Sequence, residues 1–262
     1  MSGARFRPLF LPLLLLGALA FGLISCGGDS PARRSSSGPS SGSASTKIAR
    51  WEQQLGPVPV DRKVTPLQLL RETGMTQSLI PPRTAGRRVY RPMNARYITI
   101  HSTQNYTAGA HQHALALKRG ALRAPKRKGG NRIGYLTWHF TTEASLAVQH
   151  LPTTEQGEHA DFDGPGNNYS IGIEMCEHKG NSLARTIDNT AKLTAYLMHA
   201  KRIPLSHIRA HYHWERKGLP TPHKNCPHFL MDNGRPGNTW RWFLARVHLH
   251  HQRIIPGPAP KI

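Results

Sequence analysis

Three potential metal donors lie far apart along the chain. They are His101 in Ile100-His101-Ser102-Thr103, His211 in His211-Tyr212-His213-Trp214, and Cys226 in Lys224-Asn225-Cys226-Pro227. Donors so widely spaced meet only if a folded domain gathers them, so they constrain the fold as much as the chemistry. Two imidazoles and a thiolate make a three-ligand zinc site whose fourth position stays open to water; structural zinc sites are closed. One neighbour competes for the second place. His213 lies two residues beyond His211, on the same side of an extended segment.

The N-terminus reads as an export signal over residues 1–25. Arg5 and Arg7 give the positive start, and Leu9 to Ile24 are almost wholly apolar. That run has about the length of a spanning helix, so a membrane anchor is the competing reading. The segment Leu23-Ile24-Ser25-Cys26 resembles the bacterial lipobox. The resemblance implies that Cys26 becomes the lipid-modified first residue of the mature chain. Gly27, where an aspartate would signal inner-membrane retention, directs the expectation to the periplasmic face of the outer membrane. Residues 26–46, the lipidated cysteine followed by Ser, Gly and Pro, read as a disordered tether that reaches ~25 Å as a coil.

Charge bears on partners. The chain has 35 Lys and Arg against 14 Asp and Glu, a formal charge of +21. Such a balance commonly points to nucleic acid, a partner the export signal argues against. Anionic envelope polymers, peptidoglycan and lipopolysaccharide, take its place as objects of long-range attraction. The chain is expected to be a monomer. In an oxidising compartment a Cys176–Cys226 disulfide is one expectation. The other is a buried thiol at Cys176 and a metal donor at Cys226.

Periodicity organises the rest. Residues 47–92 read as an N-terminal extension with a short helix from Pro66 to Thr73, proline at its first position. Tyr97 to Ile100 predicts a strand ending at His101, and Ala108 to Lys118 a helix. Residues 119–132 read as a long basic loop. Leu136–Thr142 and Leu146–Leu151 form a hairpin, and residues 152–168 a loop rich in Gly, Pro, Asn and Asp. Tyr169 to Cys176 predicts a strand buried on both faces. Thr186 to Lys201 is the clearest helix, capped by Thr186 or Asp188. Ile203 to Ala210 leads into His211, and a last helix runs from about Thr239 to His251. The expected architecture is a single α/β domain over 93–255, a central mixed sheet covered by helices, with a tail at 256–262.

Four segments then carry a resemblance. Ile98-Thr99-Ile100-His101-Ser102-Thr103, Thr137-Trp138-His139-Phe140, Ser170-Ile171-Gly172-Ile173-Glu174 and Lys224-Asn225-Cys226-Pro227 resemble, in order, the motifs of the zinc-dependent N-acetylmuramoyl-L-alanine amidases. This family includes phage lysozyme-type amidases and peptidoglycan recognition proteins. The resemblance covers roughly residues 80–230. It implies one catalytic Zn2+ on His101, His211 and Cys226, with peptidoglycan or muropeptides as substrate. The bond cut would be the amide between N-acetylmuramic acid and the L-alanine of the stem peptide. Glu174 is implied as general base, with support of a ligand imidazole as its alternative role. Lys224 is implied to neutralise the oxyanion.

Some positions depart from the family pattern. Trp138 stands where some relatives carry a catalytic tyrosine; an indole has no acidic hydroxyl, so Trp138 is expected to serve at most as a substrate contact and more burden falls on Glu174. Glu215 to His223 lengthens the interval between His211 and Cys226 and reads as an inserted loop, which brings in His223 as a further alternative ligand. His139 is expected in the core. His159, in Glu158-His159-Ala160-Asp161, is expected at the cleft, where it would touch substrate, and Asn168 on its rim. Two other classes of function compete: a non-catalytic peptidoglycan-binding lipoprotein of the same fold, and a lipid-anchored structural protein held by a disulfide.

Overall fold

Alternation along two neighbouring parallel strands decides where the site can be. A computed structural model of the chain describes residues 43–124 and 133–262; the expected signal, Cys26, nearly all of the tether and part of the basic loop lie outside the described residues. Strand β1 is Met75–Gln77, β2 Tyr97–Ser102, β3 Phe140–Thr142, β4 Ala147–Gln149, β5 Ser170–Met175 and β6 Ile208–Ala210. They form one mixed sheet in the order β1-β4-β3-β5-β2-β6. Only β3 and β4 pair antiparallel within it. A separate hairpin joins β7, Met231–Asp232, to β8, Arg235–Pro236.

Successive residues of a strand point to opposite faces. Ile98 and Ile100 of β2, with Ile171, Ile173 and Met175 of β5, enter the main core. Their partners Thr99 and His101, and Ser170, Gly172 and Glu174, therefore take the other face. Strand β5 is buried along its whole length, on both faces as expected, and its second face is polar. That polar face carries the site.

The helices are α1 Ala44–Leu55, α2 Pro66–Glu72, α3 Ala110–Lys118, α4 Pro165–Asn168, α5 Leu183–Lys201 and α6 Asn238–Gln252. Helix α5 lies on the apolar face, with Ile187, Ala191, Leu193 and Leu197 in the core, and α6 adds Trp240, Phe243 and Val247. Asp188 joins the two helices by accepting from Arg246 and from His250 Nε2 at 2.8 Å. Helix α3 packs on the opposite face: Ala147 of β4 belongs to the main core, while the next residue, Val148, meets Ala110 and Ala114 of α3.

Several boundaries differ from the sequence reading. Helix α5 begins at Leu183 with Ser182 as its cap. Leu183 and Ala184 already belong to its buried side, so the apolar stripe starts before the first strongly periodic residue, Ile187. Thr186 is inside the helix, its hydroxyl donating to Ser182 O. The second strand is confined to Phe140–Thr142, because the residues before it turn into an isolated bridge between Thr137 and Glu158. Helix α1 starts at Ala44, inside the expected tether.

Residues read as an N-terminal extension share the core. Trp51, Leu69 and Leu70 are buried in it, and β1 is an edge of the sheet. Helix α2 forms where it does because Thr65 and Gln68 cap each other reciprocally around Pro66. At the other end, Thr153 donates to Ile262 O at 2.6 Å, so residues of the expected tail also dock.

The fully buried Leu69 gives one expected outcome. Leu69→Ala should lower unfolding free energy by ~2–5 kcal/mol, the range for removing a core leucine. Urea unfolding of the full chain checks it; a loss under ~0.5 kcal/mol would mean that α2 is peripheral to the fold. Histidines give another. Burial, the largest cause, pushes His139 down to about 4 and His150 to about 3. Their folded values lie below the unfolded ~6.5, so the unfolded chain takes up protons first. Their stabilisation is complete above pH ~6.5 and is lost as pH falls towards those values, by on the order of 2 kcal/mol each at pH 5. Unfolding midpoints in urea should therefore drop between pH 7 and pH 5, and equal midpoints would contradict the assignment.

Candidate metal centre

The carboxyl ends of β2 and β5 build the site. Their parallel register sets His101 directly beside Glu174. His211 follows β6, the strand on the other side of β2. Cys226 arrives from the loop beyond, held by Tyr212 N donating to Cys226 O at 3.0 Å. His101, His211 and Cys226 are all buried, and their donor atoms lie within 4.8 Å of one another. Cys176 and Cys226 are both buried and no disulfide joins them, so the alternative pairing is not formed.

Hydrogen bonds fix the tautomers. His159 Nε2 lies 3.3 Å from Ser170 O, so it donates there and leaves Nδ1 as an acceptor. His101 Nε2 sits 3.0 Å from that Nδ1 and so donates to it. The lone pair of His101 Nδ1 is left facing the site. His211 repeats the device: Nε2 donates to Ala160 O at 3.2 Å, which leaves Nδ1 facing inward. The two Nδ1 atoms lie 3.0 Å apart. Two acceptor lone pairs so close repel unless a cation stands near both. Burial first, then neighbouring charges, holds both imidazoles well below the ordinary histidine range, in the neutral form that ligates metal. Ser102 N donates to Cys226 Sγ at 3.3 Å, a bond that favours thiolate. The donor set therefore fits a divalent zinc-class ion.

Glu174 completes the pocket. Its Oε1 is 3.8 Å from His101 Nδ1, too far for a hydrogen bond. Its Oε2 is buried with no hydrogen-bond partner among the described residues. Burial pushes the carboxyl up to about 8, with Glu177 adding to the shift and Lys224 opposing it. Lys224 is half-buried, and its charge also depresses His101 and His211, which places its field on the site.

Other expected site residues fall elsewhere. His159 is buried, and its ring meets His101 edge to face with centroids 5.1 Å apart, so it supports a ligand and does not line an open cleft. Gly172 makes this possible, because a Cβ there would lie 2.8 Å from the His159 ring. Trp138 points away from the donors. It packs with Ile80, Leu117 and Leu151, and its Nε1 donates to Thr141 Oγ1 at 2.7 Å. Asn168 faces outward, donating to Asp163 O at 2.6 Å.

The sequence reading missed Asn167. Its Oδ1 accepts from both His159 N and Ala160 N and thereby sets the loop. Only the density of turn-forming residues around it pointed there. His139 is a core residue as expected, accepting from Gly172 N at 3.0 Å and donating to Glu155 O at 2.8 Å. His213 lies in the turn after β6 and bonds back to Ala210 N at the end of that strand, and its ring meets Trp240. His223 Nε2 lies 3.2 Å from the outer nitrogen of His211, away from the donor side. Arg216 donates to Ala160 O and lies over the Phe162 ring at 3.9 Å. The inserted loop thus folds against the outer edge of His211.

Fold and donor set define a mixed α/β domain with three buried side chains that could hold a metal ion. A family model described as N-acetylmuramoyl-L-alanine amidase matches residues 91–229, and the chain belongs to that family. The N-acetylmuramoyl-L-alanine amidase XlyA of Bacillus subtilis (strain 168) is 34% identical over 174 residues, 65% of this chain and 50% of that protein. CwlH of the same organism, of the same description, is 33% identical over 159 residues, 59% of this chain and 54% of the relative. The chain thus spans about half the length of these curated relatives. The solved catalytic domain of XlyA superposes with a TM-score of 0.54 at 33% identity, covering 66% of this chain and 99% of the domain. A mutant endolysin from Bacillus subtilis gives 0.54 at 32%, covering 66% of this chain and 98% of the other.

The hydrogen bond from His101 to His159 sets an expected outcome. His159→Ala should weaken metal binding 10–100-fold, the usual effect of losing a partner that orients a ligand, whereas His101→Ala should abolish binding at this centre. Competition with a chromogenic chelator, on chains carrying Cys176→Ser so that the other buried thiol does not contribute, measures both. Unchanged affinity in His159→Ala would remove the supporting role.

Proposed function

We propose that the chain is a zinc-dependent peptidoglycan hydrolase that cleaves the amide between N-acetylmuramic acid and L-alanine of the stem peptide. The observation that carries this reading is the convergence of two inward imidazole nitrogens and one sulfur beside a buried, unpartnered carboxylate oxygen. Family membership supports the bond; the geometry supports catalysis over binding alone, since the three donors, the Glu174 carboxyl and Lys224 are brought to one pocket. His101, His211 and Cys226 would hold the zinc. When bound, the ion supplies Lewis-acid polarisation of the amide carbonyl and acidifies water.

The protein's own groups do the rest. Glu174, at the end of a buried strand, takes a proton from water as its oxygen attacks the carbonyl carbon. A cation held by His101, His211 and Cys226 would draw the raised pKa of Glu174 back towards neutrality, where a base is effective. The Lys224 ammonium balances charge on the carbonyl oxygen. As the C–N bond breaks, Glu174 returns the proton to the leaving nitrogen, giving a muramyl carboxylic acid and a free α-amine, between which the remaining water proton passes to leave a carboxylate and an ammonium. His159 keeps His101 in the ligating tautomer, and so leaves Glu174 unengaged by the imidazoles.

The lipobox-like Leu23-Ile24-Ser25-Cys26 and the basic composition support a lipid-anchored, envelope-facing enzyme that meets its anionic polymer at the periplasmic face of the outer membrane. Glu174→Gln should retain zinc and lose turnover on purified sacculi by a factor on the order of 10² to 10⁴. Mass analysis of the released material should show free stem peptides that begin at L-alanine. Glycan fragments with intact stems would overturn the bond assignment, and loss of zinc in Glu174→Gln would make the carboxylate a ligand support.

A further inference from the structure

A second set of donors lies where β3 and β5 end. Glu143 follows β3, and Cys176 and His178 follow β5. The register pairs Thr142 with Met175, so the parallel strands deliver Glu143 and Cys176 side by side. Cys176 N donates to Thr142 O at 2.9 Å, which extends that pairing by one residue. Asn181 clamps the two segments: its Nδ2 donates to Cys176 O at 2.9 Å, and its Oδ1 accepts from Ala144 N at 3.2 Å. One donor atom from each of Glu143, Cys176 and His178 lies within 4.8 Å of the others.

We propose that Glu143, Cys176 and His178 form a second metal site, for one divalent transition ion of the zinc class. It shares no residue with the centre at His101, His211 and Cys226. Three observations converge on it. His178 Nδ1 is buried without a hydrogen-bond partner among the described residues. The Cys176 thiol forms no disulfide and is fully buried, its contact with His113 Nδ1 being a long one at 3.9 Å. Glu143 and His178 are only half-buried, which leaves an approach from solvent.

The chemistry is consistent with the donors. A carboxylate, an imidazole and a thiolate are a borderline-soft set suited to zinc, and poorly suited to calcium or magnesium. One thiolate and one carboxylate neutralise a divalent ion, so the occupied site carries no net buried charge. Ion entry displaces the thiol proton to solvent and leaves oxidation states unchanged. Glu143 also accepts from Ala110 N at the start of α3. Occupancy would therefore tie the ends of β3 and β5 to the helix that covers the polar face.

Cobalt provides the test. The full chain carrying Cys226→Ala is stripped with a chelator and titrated with Co2+. The expected result is one bound equivalent with a sulfur-to-cobalt charge-transfer band in the near ultraviolet. Adding Cys176→Ser should abolish the band, and adding His178→Ala or Glu143→Gln, milder changes at half-buried positions, should weaken binding at least ~10-fold. No band in the Cys226→Ala chain would overturn the site, as would a band that survives Cys176→Ser. Affinity unmoved by both His178→Ala and Glu143→Gln would also overturn it. The first centre is reported separately by the Cys176→Ser chain, so failure of one assignment leaves the other standing.

Discussion

The lateral pairing of β2 with β5 is the constraint on which the site depends. A parallel register that places Ile98 opposite Ile171 also places His101 opposite Glu174. A slip of either strand by one residue would turn its site residue towards α5 and α6 and its isoleucines into the polar face. The apolar residues that hold the sheet against α5 and α6 therefore also aim the imidazole and the carboxylate at a common point. Burying each large aliphatic side chain stabilises the fold by roughly 1.5–3 kcal/mol. That surplus holds two neutral imidazoles, a carboxylate and a thiol together out of water.

Outer hydrogen bonds then decide what the pocket offers. His101 and His211 each give their Nε2 proton outward, to His159 and to Ala160 O, so that both Nδ1 lone pairs face inward. Asn167, Arg216 and the 159–162 loop serve this end. On the sulfur side, Ser102 Oγ meets His228 Nδ1 at 3.3 Å, and His228 Nε2 meets Glu177 at 3.3 Å, a chain of polar groups around the Cys226 donor. The pocket is therefore preorganised for a cation by groups that never touch it.

Much of this was legible in the sequence. The β-branched run before His101, the run before Glu174 and the stripe of α5 name their own elements, and ordered motifs named the donors. Residues whose roles come from tertiary contact were not legible. His159 reads as a cleft histidine that touches substrate until Gly172 is seen beneath its ring, and Asn167 differs from its neighbour Asn168 only in the direction the chain turns. Trp138 reads as a cleft residue by motif position; the local twist before β3 sends it into a separate apolar cluster. Residues 44–77 were less legible because their elements bury few side chains: Trp51 in α1, Pro66, Leu69 and Leu70 in α2, and none in β1.

Zinc-edge X-ray absorption on the Cys176→Ser chain, loaded with one equivalent, addresses the central claim most directly. The account predicts one sulfur at about 2.3 Å and two imidazole nitrogens at about 2.0–2.1 Å, with a light atom completing four-coordination. A spectrum without a sulfur shell, or with only one imidazole, would contradict it.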